Sequence, residues 1–267
     1  MMVSSLRYLS PVIPRVAAKW AEDLFLTPVR VPRPESEKAY FDSAKKYFLK
    51  NGIAAYEWGP ASGQLVVLVH GWSGRGTQMG AFAEPLVQRG FRVIALDGPA
   101  HGSSLGEQTN VGAYAQFLID AQRELGPFKA VIAHSFGAGC SVVSVSRGLK
   151  AEKLVLVAGP SRYAVVVGHF TKMIGLSAAA TKIFNKNLAK KVGMKAEDLN
   201  IGNIGNSIHV QAMIVHDRED KEVTFASAED MKQSWPHVRL LATQGLGHRR
   251  ILKDKNVTEQ VAQFISE

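Results

Sequence analysis

The chain has 267 residues, of which 46% are hydrophobic and 21% charged, a composition typical of a soluble globular protein. Its single cysteine, Cys140, excludes an intramolecular disulfide and a cysteine-based zinc site. The sequence contains no run of 18 apolar residues, so no membrane-spanning helix is predicted. The net charge of +9 is uneven, because residues 1–50 carry +4, residues 162–205 carry +5 and the rest sums to zero. This distribution argues against a nucleic-acid partner, because proteins that bind nucleic acid more often spread their basic residues over a core element.

The N-terminal segment predicts a helical arm over residues 1–52. It lacks the compact apolar stretch of a signal peptide, so we expect a cytoplasmic protein. Residues 11–26 carry an apolar stripe at helical spacing, and a second helix is predicted over residues 36–50. We expect the arm to pack on the main domain, with weak contact between this basic amphipathic helix and an anionic membrane surface as the alternative. The stripe consists of Ile13, Val16, Ala17, Trp20 and Leu24.

From residue 53 onward, short apolar runs alternate with stretches of helical character. Runs that are apolar throughout are typical of strands buried on both faces of a parallel sheet. The alternation predicts an α/β fold with a mostly parallel, doubly wound sheet. The predicted strands are 65–69, 91–96, 130–133, 154–158, 210–215 and 238–242, and the predicted helices are 77–89, 111–125, 136–148, 226–234 and 257–266. Between the fourth and fifth predicted strands lies an insertion of helical, Ala/Lys-rich sequence.

The segment around Ser135 is the strongest candidate for a nucleophile. A predicted strand leads directly into Ser135, and Gly137 and Gly139 follow at the start of a helix. A nucleophile on a sharp strand-to-helix turn needs such small neighbours, although Ala133 stands where the usual motif has its first glycine. The start of the helix also presents backbone N–H groups to an anion.

A second segment, His70-Gly71-Trp72, follows the strand 65–69. The backbone N–H of Trp72 is placed to pair with the N–H of Phe136, and two such donors would stabilise a developing oxyanion. A third segment contains Asp97 and His101. We predict structural roles for both residues, with Asp97 as a turn-stabilising carboxylate.

The last two segments supply a carboxylate and a histidine. Four carboxylates, including Asp217 and Asp220, lie in the loop after the strand 210–215, and His248 follows the strand 238–242. A catalytic triad needs one carboxylate to orient a histidine. Ser135, the acidic loop and His248 each come just after a strand, and the carboxyl ends of parallel strands form the edge at which ligands bind.

Over residues 53–267 the sequence resembles the α/β-hydrolase superfamily. The resemblance rests on His70-Gly71-Trp72, the Asp97-to-Ser104 turn, His134-Ser135-Phe136-Gly137, the Asp217-to-Val223 loop and Gly247-His248. The arm and the Gly-His-Arg-Arg-Ile-Leu ending are similar to a group of uncharacterised bacterial α/β-fold hydrolases.

The resemblance implies Ser135 as nucleophile and His248 as base. It implies Asp220 as the acid, because in the family the acid is followed three residues later by valine or proline, and Val223 stands at that position here. Asp217 instead matches a turn position of the family. It also implies a core of residues 53–160 and 206–267 with a helical cap at residues 161–205.

A serine on the strand-to-helix turn favours acyl transfer, because dehalogenases and epoxide hydrolases of this fold carry aspartate at that position. We therefore predict a serine hydrolase that cleaves a small-molecule carboxylic ester through an acyl-enzyme on Ser135, with no metal or organic cofactor. Two alternatives stay open. One is a thioesterase or acyltransferase with the same triad, and the other is a non-catalytic binding protein on a hydrolase scaffold.

Overall fold

A computed structural model describes residues 7–267, so the first six residues of the predicted arm lie outside the described part. Its centre is an eight-stranded sheet in the order β1-β2-β4-β3-β5-β6-β7-β8. Strands β3 to β8 are parallel to their neighbours within that group, and β2 runs antiparallel to both β1 and β4. The strands are β1 (Lys45–Phe48), β2 (Ala54–Trp58), β3 (Leu65–Val69), β4 (Arg92–Leu96), β5 (Phe128–His134), β6 (Ala151–Val157), β7 (Gln211–Asp217) and β8 (Arg239–Thr243).

Helices cover the sheet, and their side chains form a hydrophobic core with those of the strands. Every residue of β3 is buried, as its uninterrupted apolar sequence predicts for a strand packed on both faces. The predicted mostly parallel α/β fold is therefore confirmed. The α-helices are α1 (Pro14–Leu26), α2 (Lys38–Ser43), α3 (Ala83–Val87), α4 (Val111–Leu125), α5 (Phe136–Ser146), α6 (Tyr163–Met173), α7 (Ala178–Val192), α8 (Ile201–Asn206), α9 (Ala226–Ser234), α10 (Gly247–Arg250) and α11 (Lys255–Ser266).

The predicted helix over residues 36–50 is correct for its first half and wrong for its second. A 3₁₀ turn at Glu35–Glu37 and the six-residue α2 are followed by strand β1, which pairs with β2. Strand β2 is not among the predicted strands, although its residues Tyr56 and Trp58 favour strands. Tertiary pairing with β4 and the Glu57–Arg92 ion pair of 2.7 Å hold β2 in the sheet.

The predicted helix over residues 77–89 is correct only in part. Residues Gly76–Phe82 form a 3₁₀ helix, and only Ala83–Val87 continue as α-helix. Glycines have low helix propensity, and Gly80 packs so closely on Tyr40 that a Cβ there would lie 2.4 Å from the ring. Contact with the arm therefore shapes this segment more than its own helical periodicity does.

Helix α1 is confirmed, but its buried face differs from its apolar stripe. Small residues, Ala17, Ala18 and Ala21, are buried and allow α1 to pack closely on α7. Glu22 is buried in the same contact and accepts a hydrogen bond of 2.5 Å from Asn187. The larger residues of the stripe, Ile13, Val16, Trp20 and Leu24, are exposed.

The insertion between β6 and β7 folds as helices α6, α7 and α8. Phe25 of α1 contacts two of these helices, with ring centroids 4.8 Å from Phe170 and 5.7 Å from Phe184. The arm and the insertion are thus packed against each other. Among residues 7–267, no helix combines the length and apolar character needed to cross a membrane.

Candidate active site

Ser135 occupies a strained turn between β5 and α5. Its backbone has φ 51° and ψ −119°, a conformation that non-glycine residues seldom adopt. The N–H of Ser135 donates to Val157 O at 2.8 Å, which ties the turn to the end of β6. Strain held by surrounding structure is a feature of functional sites, and this geometry is that of a nucleophile elbow.

Two glycines bring the loop after β3 against this turn. A Cβ on Gly71 would lie 2.9 Å from the Cβ of Ser135, and a Cβ on Gly137 would lie 2.4 Å from His70 O. Any side chain at either position would push the two segments apart. Within residues 7–267, neither the Trp72 nor the Phe136 backbone N–H donates a hydrogen bond. These two free donors adjoin Ser135, where the sequence analysis expects an oxyanion site.

Asp220 and His248 form a close pair at the same edge of the sheet. The Nδ1 of His248 lies 2.7 Å from Asp220 Oδ2, so its N–H donates to the carboxylate and leaves Nε2 as the basic nitrogen. Burial raises the pKa of Asp220, but hydrogen bonds from His248 and from the N–H groups of Val223 and Glu222 outweigh burial and lower it. Asp220 is therefore held as a carboxylate beside the imidazole.

Asp217 has a different set of contacts. It accepts hydrogen bonds from Thr243 Oγ1 at 2.7 Å and from the N–H groups of Leu246 and Glu219 at 3.0 Å. These bonds tie the loop after β7 to the loop after β8. Of the two aspartates, Asp220 is the one that contacts His248.

Two further histidines surround this pair, and the sequence analysis assigned neither to it. His216 is buried, with Nε2 donating to Val223 O at 2.8 Å and lying 3.5 Å from Asp220 Oδ2. His134 donates from Nε2 to His248 O at 3.0 Å, and the two rings are 4.7 Å apart. His134 precedes Ser135, so this bond joins the elbow to the loop of His248. The i, i+4 spacing of His216 and Asp220 was a signal, but it identifies a contact only once the loop geometry is known.

Asp97 and His101 have structural roles, as predicted. Asp97 accepts from the N–H of Gly76 at 2.6 Å and of Ser103 at 2.8 Å, and from Tyr56 Oη at 2.9 Å. His101 donates from Nδ1 to Pro99 O and accepts at Nε2 from the Ser73 N–H, 3.0 Å away. This network fixes the loop that contains Trp72.

His70 completes the same network. It donates from Nδ1 to Gly71 O at 2.7 Å and accepts at Nε2 from the Gly98 N–H at 2.8 Å, so it is neutral. Burial lowers the pKa of His70 to about 4. Burial likewise lowers the pKa values of His101 and His134 to about 3.

These histidines predict a loss of stability on mild acidification. Below pH 6.5 the unfolded chain binds protons on histidines that stay neutral in the folded chain, so the unfolding free energy decreases as pH falls from 6.5 towards 4. Each such histidine contributes up to about 1.4 kcal/mol per pH unit in that window. Urea unfolding at pH 7.5, 6.5 and 5.5 measures the effect. We expect a smaller slope for His101→Asn and no change for the exposed His237→Asn, and a free energy constant from pH 7.5 to 5.5 would contradict the prediction.

A pocket of about 600 Å³ opens beside Ser135. Its walls are predominantly apolar and come from the arm, the loops after β3 and β5, and the insertion. Helix α6 supplies Val167 and Phe170, and the arm supplies Leu24 and Phe25. The resemblance implies a cap at residues 161–205, and nothing in the sequence predicts that the arm contributes to the pocket as well. Within residues 7–267, no three His, Cys, Asp or Glu side chains cluster as metal ligands would.

Comparisons with known proteins agree with this architecture. The model of the alpha/beta hydrolase family matches residues 66–190. A serine hydrolase-like protein of Dictyostelium discoideum is 31% identical over 110 residues, which span 39% of this chain and only 31% of that protein. A thioesterase domain from the curacin biosynthetic pathway superposes with a TM-score of 0.63 at 19% identity, covering 84% of this chain and 99% of the domain. An esterase from Exiguobacterium antarcticum has a TM-score of 0.63 at 16% identity, covering 84% of this chain and 100% of the esterase.

The mostly parallel sheet, with Ser135 on a strained turn at its carboxyl edge, defines the α/β-hydrolase fold. Residues 66–190 match the alpha/beta hydrolase family, and the chain has the fold of that family, as the resemblance in its sequence predicts. The chain spans less than half the length of the serine hydrolase-like relatives that it matches.

Proposed function

We propose that this protein is a serine hydrolase that cleaves a carboxylic ester through an acyl-enzyme on Ser135. One observation carries the proposal: the hydrogen-bonded Asp220–His248 pair lies at the same sheet edge as Ser135 on its strained turn. A nucleophile, a base and a group that orients the base are the parts that acyl transfer requires. The apolar pocket beside Ser135 supports an acyl substrate.

The proposed reaction has two stages. In the first, His248 Nε2 takes the proton of Ser135 Oγ, the serine oxygen attacks the ester carbonyl, and the tetrahedral intermediate places its negative oxygen at the N–H groups of Trp72 and Phe136. The imidazolium of His248, stabilised by Asp220, then protonates the departing alcohol. In the second stage, His248 activates a water molecule that releases the acid and restores Ser135.

A fluorophosphonate probe tests the proposal directly. We expect the wild-type protein to gain one probe mass on the peptide that contains Ser135, detected by mass spectrometry after digestion, and Ser135→Ala to gain none. A panel of p-nitrophenyl esters from acetate to laurate should show turnover that increases with chain length, until the chain fills the pocket. An unlabelled wild-type protein that hydrolyses none of the esters would overturn the proposal and favour a binding protein on this fold.

Thioester hydrolysis and transfer to an alcohol use the same residues and differ only in the leaving group or acceptor. The panel therefore includes an acyl thioester, and a competing alcohol is added to each reaction. A higher kcat/KM for the thioester than for the matched ester would reassign the substrate class and retain the mechanism. Accumulation of a transesterified product would identify an acyltransferase.

A further inference from the structure

Helix α1 exposes the large apolar side chains that an isolated amphipathic helix would bury. Its alanine face packs on α7, and the opposite face leaves Val16 44% exposed and Trp20 45% exposed. Val12 and Ile13, one turn earlier, are also exposed. Exposed apolar residues that follow one helix face form a contiguous surface, and such a surface marks an interaction site.

This surface is continuous with the mouth of the pocket. Leu24, the last residue of the stripe, is exposed and also lines the pocket beside Ser135. Other exposed apolar residues of the pocket wall are Val29, just beyond α1, and Val166 and Met173 of α6, with Met173 71% exposed. The stripe and the mouth therefore form one apolar surface, which we name the arm–mouth surface.

Basic side chains border the arm–mouth surface. Arg15 is exposed on α1 beside the stripe, Lys19 is exposed there in an ion pair with Asp23, and Lys172 is exposed next to Met173. On α7, which packs against α1, Lys182, Lys186 and Lys190 recur every fourth residue and are exposed. An apolar stripe that contains tryptophan and is bordered by lysine and arginine has the chemistry of a helix lying in a bilayer interface.

We propose that the arm–mouth surface docks on an anionic phospholipid bilayer, with the pocket mouth facing the lipid. The apolar stripe would enter the region between headgroups and acyl chains, and the basic border would contact anionic headgroups. A second copy of this chain fits the surface less well, because it would bring two sets of lysines and arginines together. The orientation would let an acyl chain pass from the bilayer into the pocket without crossing water; this part rests on the proposed function.

Vesicle sedimentation with the full chain tests the docking. The Ser135→Ala protein is mixed with phosphatidylcholine vesicles that contain either no or 30% phosphatidylglycerol, at 50 and 500 mM salt. We expect binding to the anionic vesicles only, and at least tenfold weaker binding at the higher salt, because each basic side chain near the surface contributes about fivefold.

Val16→Ser/Trp20→Ser in the same background removes two residues of the stripe that do not line the described pocket. We expect it to bind the anionic vesicles at least tenfold more weakly, with an unchanged thermal midpoint. The matched control is Phe48→Ser, which replaces a residue that is 63% exposed on the edge strand β1, and it should bind as the parent does. Trp20 fluorescence should shift to shorter wavelength on binding.

Two results would overturn the docking. One is the absence of binding to anionic vesicles at 50 mM salt, and the other is equal binding by Val16→Ser/Trp20→Ser and its parent. If sedimentation velocity shows that the double substitution instead converts a dimer to a monomer, the partner is a second copy.

Failure of docking and failure of the proposed function are separable. For this test the Val16→Ser/Trp20→Ser substitutions are made in the protein that retains Ser135. This variant should hydrolyse a soluble short-chain ester at the wild-type rate, and a vesicle-borne ester at least tenfold more slowly than the wild type does. If the wild type does not hydrolyse soluble esters, the proposed hydrolase function is refuted, and the result on vesicle binding still holds.

Discussion

Replacing Ser135 with alanine is expected to lower kcat for a p-nitrophenyl ester by about 10⁶-fold. The substitution removes the attacking oxygen and leaves the rest of the site in place. Since alanine retains the Cβ that Ser135 already has at φ 51°, the backbone strain of the turn should be unchanged. We expect the thermal midpoint to remain close to that of the wild type.

Ser146→Ala is the matched control. Ser146 is at the end of α5, where its hydroxyl donates to Val143 O of the same helix at 2.8 Å. Its replacement should leave kcat unchanged and the fluorophosphonate label on Ser135. If Ser135→Ala kept more than about 1% of wild-type kcat, a different nucleophile would be required. Steady-state kinetics of the wild type and both variants at equal concentrations of folded protein would decide the matter.

Replacing Asp220 with asparagine is expected to lower kcat by about 10⁴-fold. The Nδ1–H of His248 now donates to a carboxylate oxygen 2.7 Å away. An asparagine amide that presents its NH₂ to this nitrogen would favour the other tautomer, which has its proton on Nε2 and cannot accept the serine proton. It would also leave the imidazolium without a neighbouring negative charge.

Asp217→Asn separates catalysis from loop structure. Asp217, the last residue of β7, accepts hydrogen bonds from Glu219, from Thr243 at the end of β8 and from Leu246 in the loop beyond it. The imidazole of His248 instead contacts Asp220. We expect the substitution to lower the unfolding free energy by about 1–2 kcal/mol and to change kcat by less than about tenfold. Equal losses of kcat for the two variants would show that Asp220 has no special role. Urea unfolding and single-turnover acylation kinetics, measured on both variants, supply the comparison.

Local patterns were sufficient for the six parallel strands of the sheet and for the positions of the candidate residues. Six short, mostly apolar runs predicted the six strands β3 to β8, because strands in the interior of a parallel sheet have few polar positions. Ser135, Asp220 and His248 follow three of those strands, and parallel strands bring their carboxyl ends to one edge. The choice of Asp220 over Asp217 needed the family resemblance, since both lie in the same loop.

Contacts between distant segments decided what the sequence left open or predicted wrongly. Strand β1 depends on pairing with β2, and the segment after Gly76 depends on the approach of Tyr40. His216 approaches Asp220 only because the loop after β7 folds back through Val223. None of these contacts has a local signal, since each depends on a partner that another part of the chain supplies.

The same division holds for the N-terminal arm. Periodicity by itself determined that residues 14–26 form a helix with one apolar face. Only the tertiary structure decided which face is buried: α7 packs against the alanines, because close helix contact favours small side chains, and leaves Val16 and Trp20 exposed beside the pocket. A hydrophobic pattern records how apolar a helix face is, but the shape and charge of its neighbours determine whether that face meets the core or another surface.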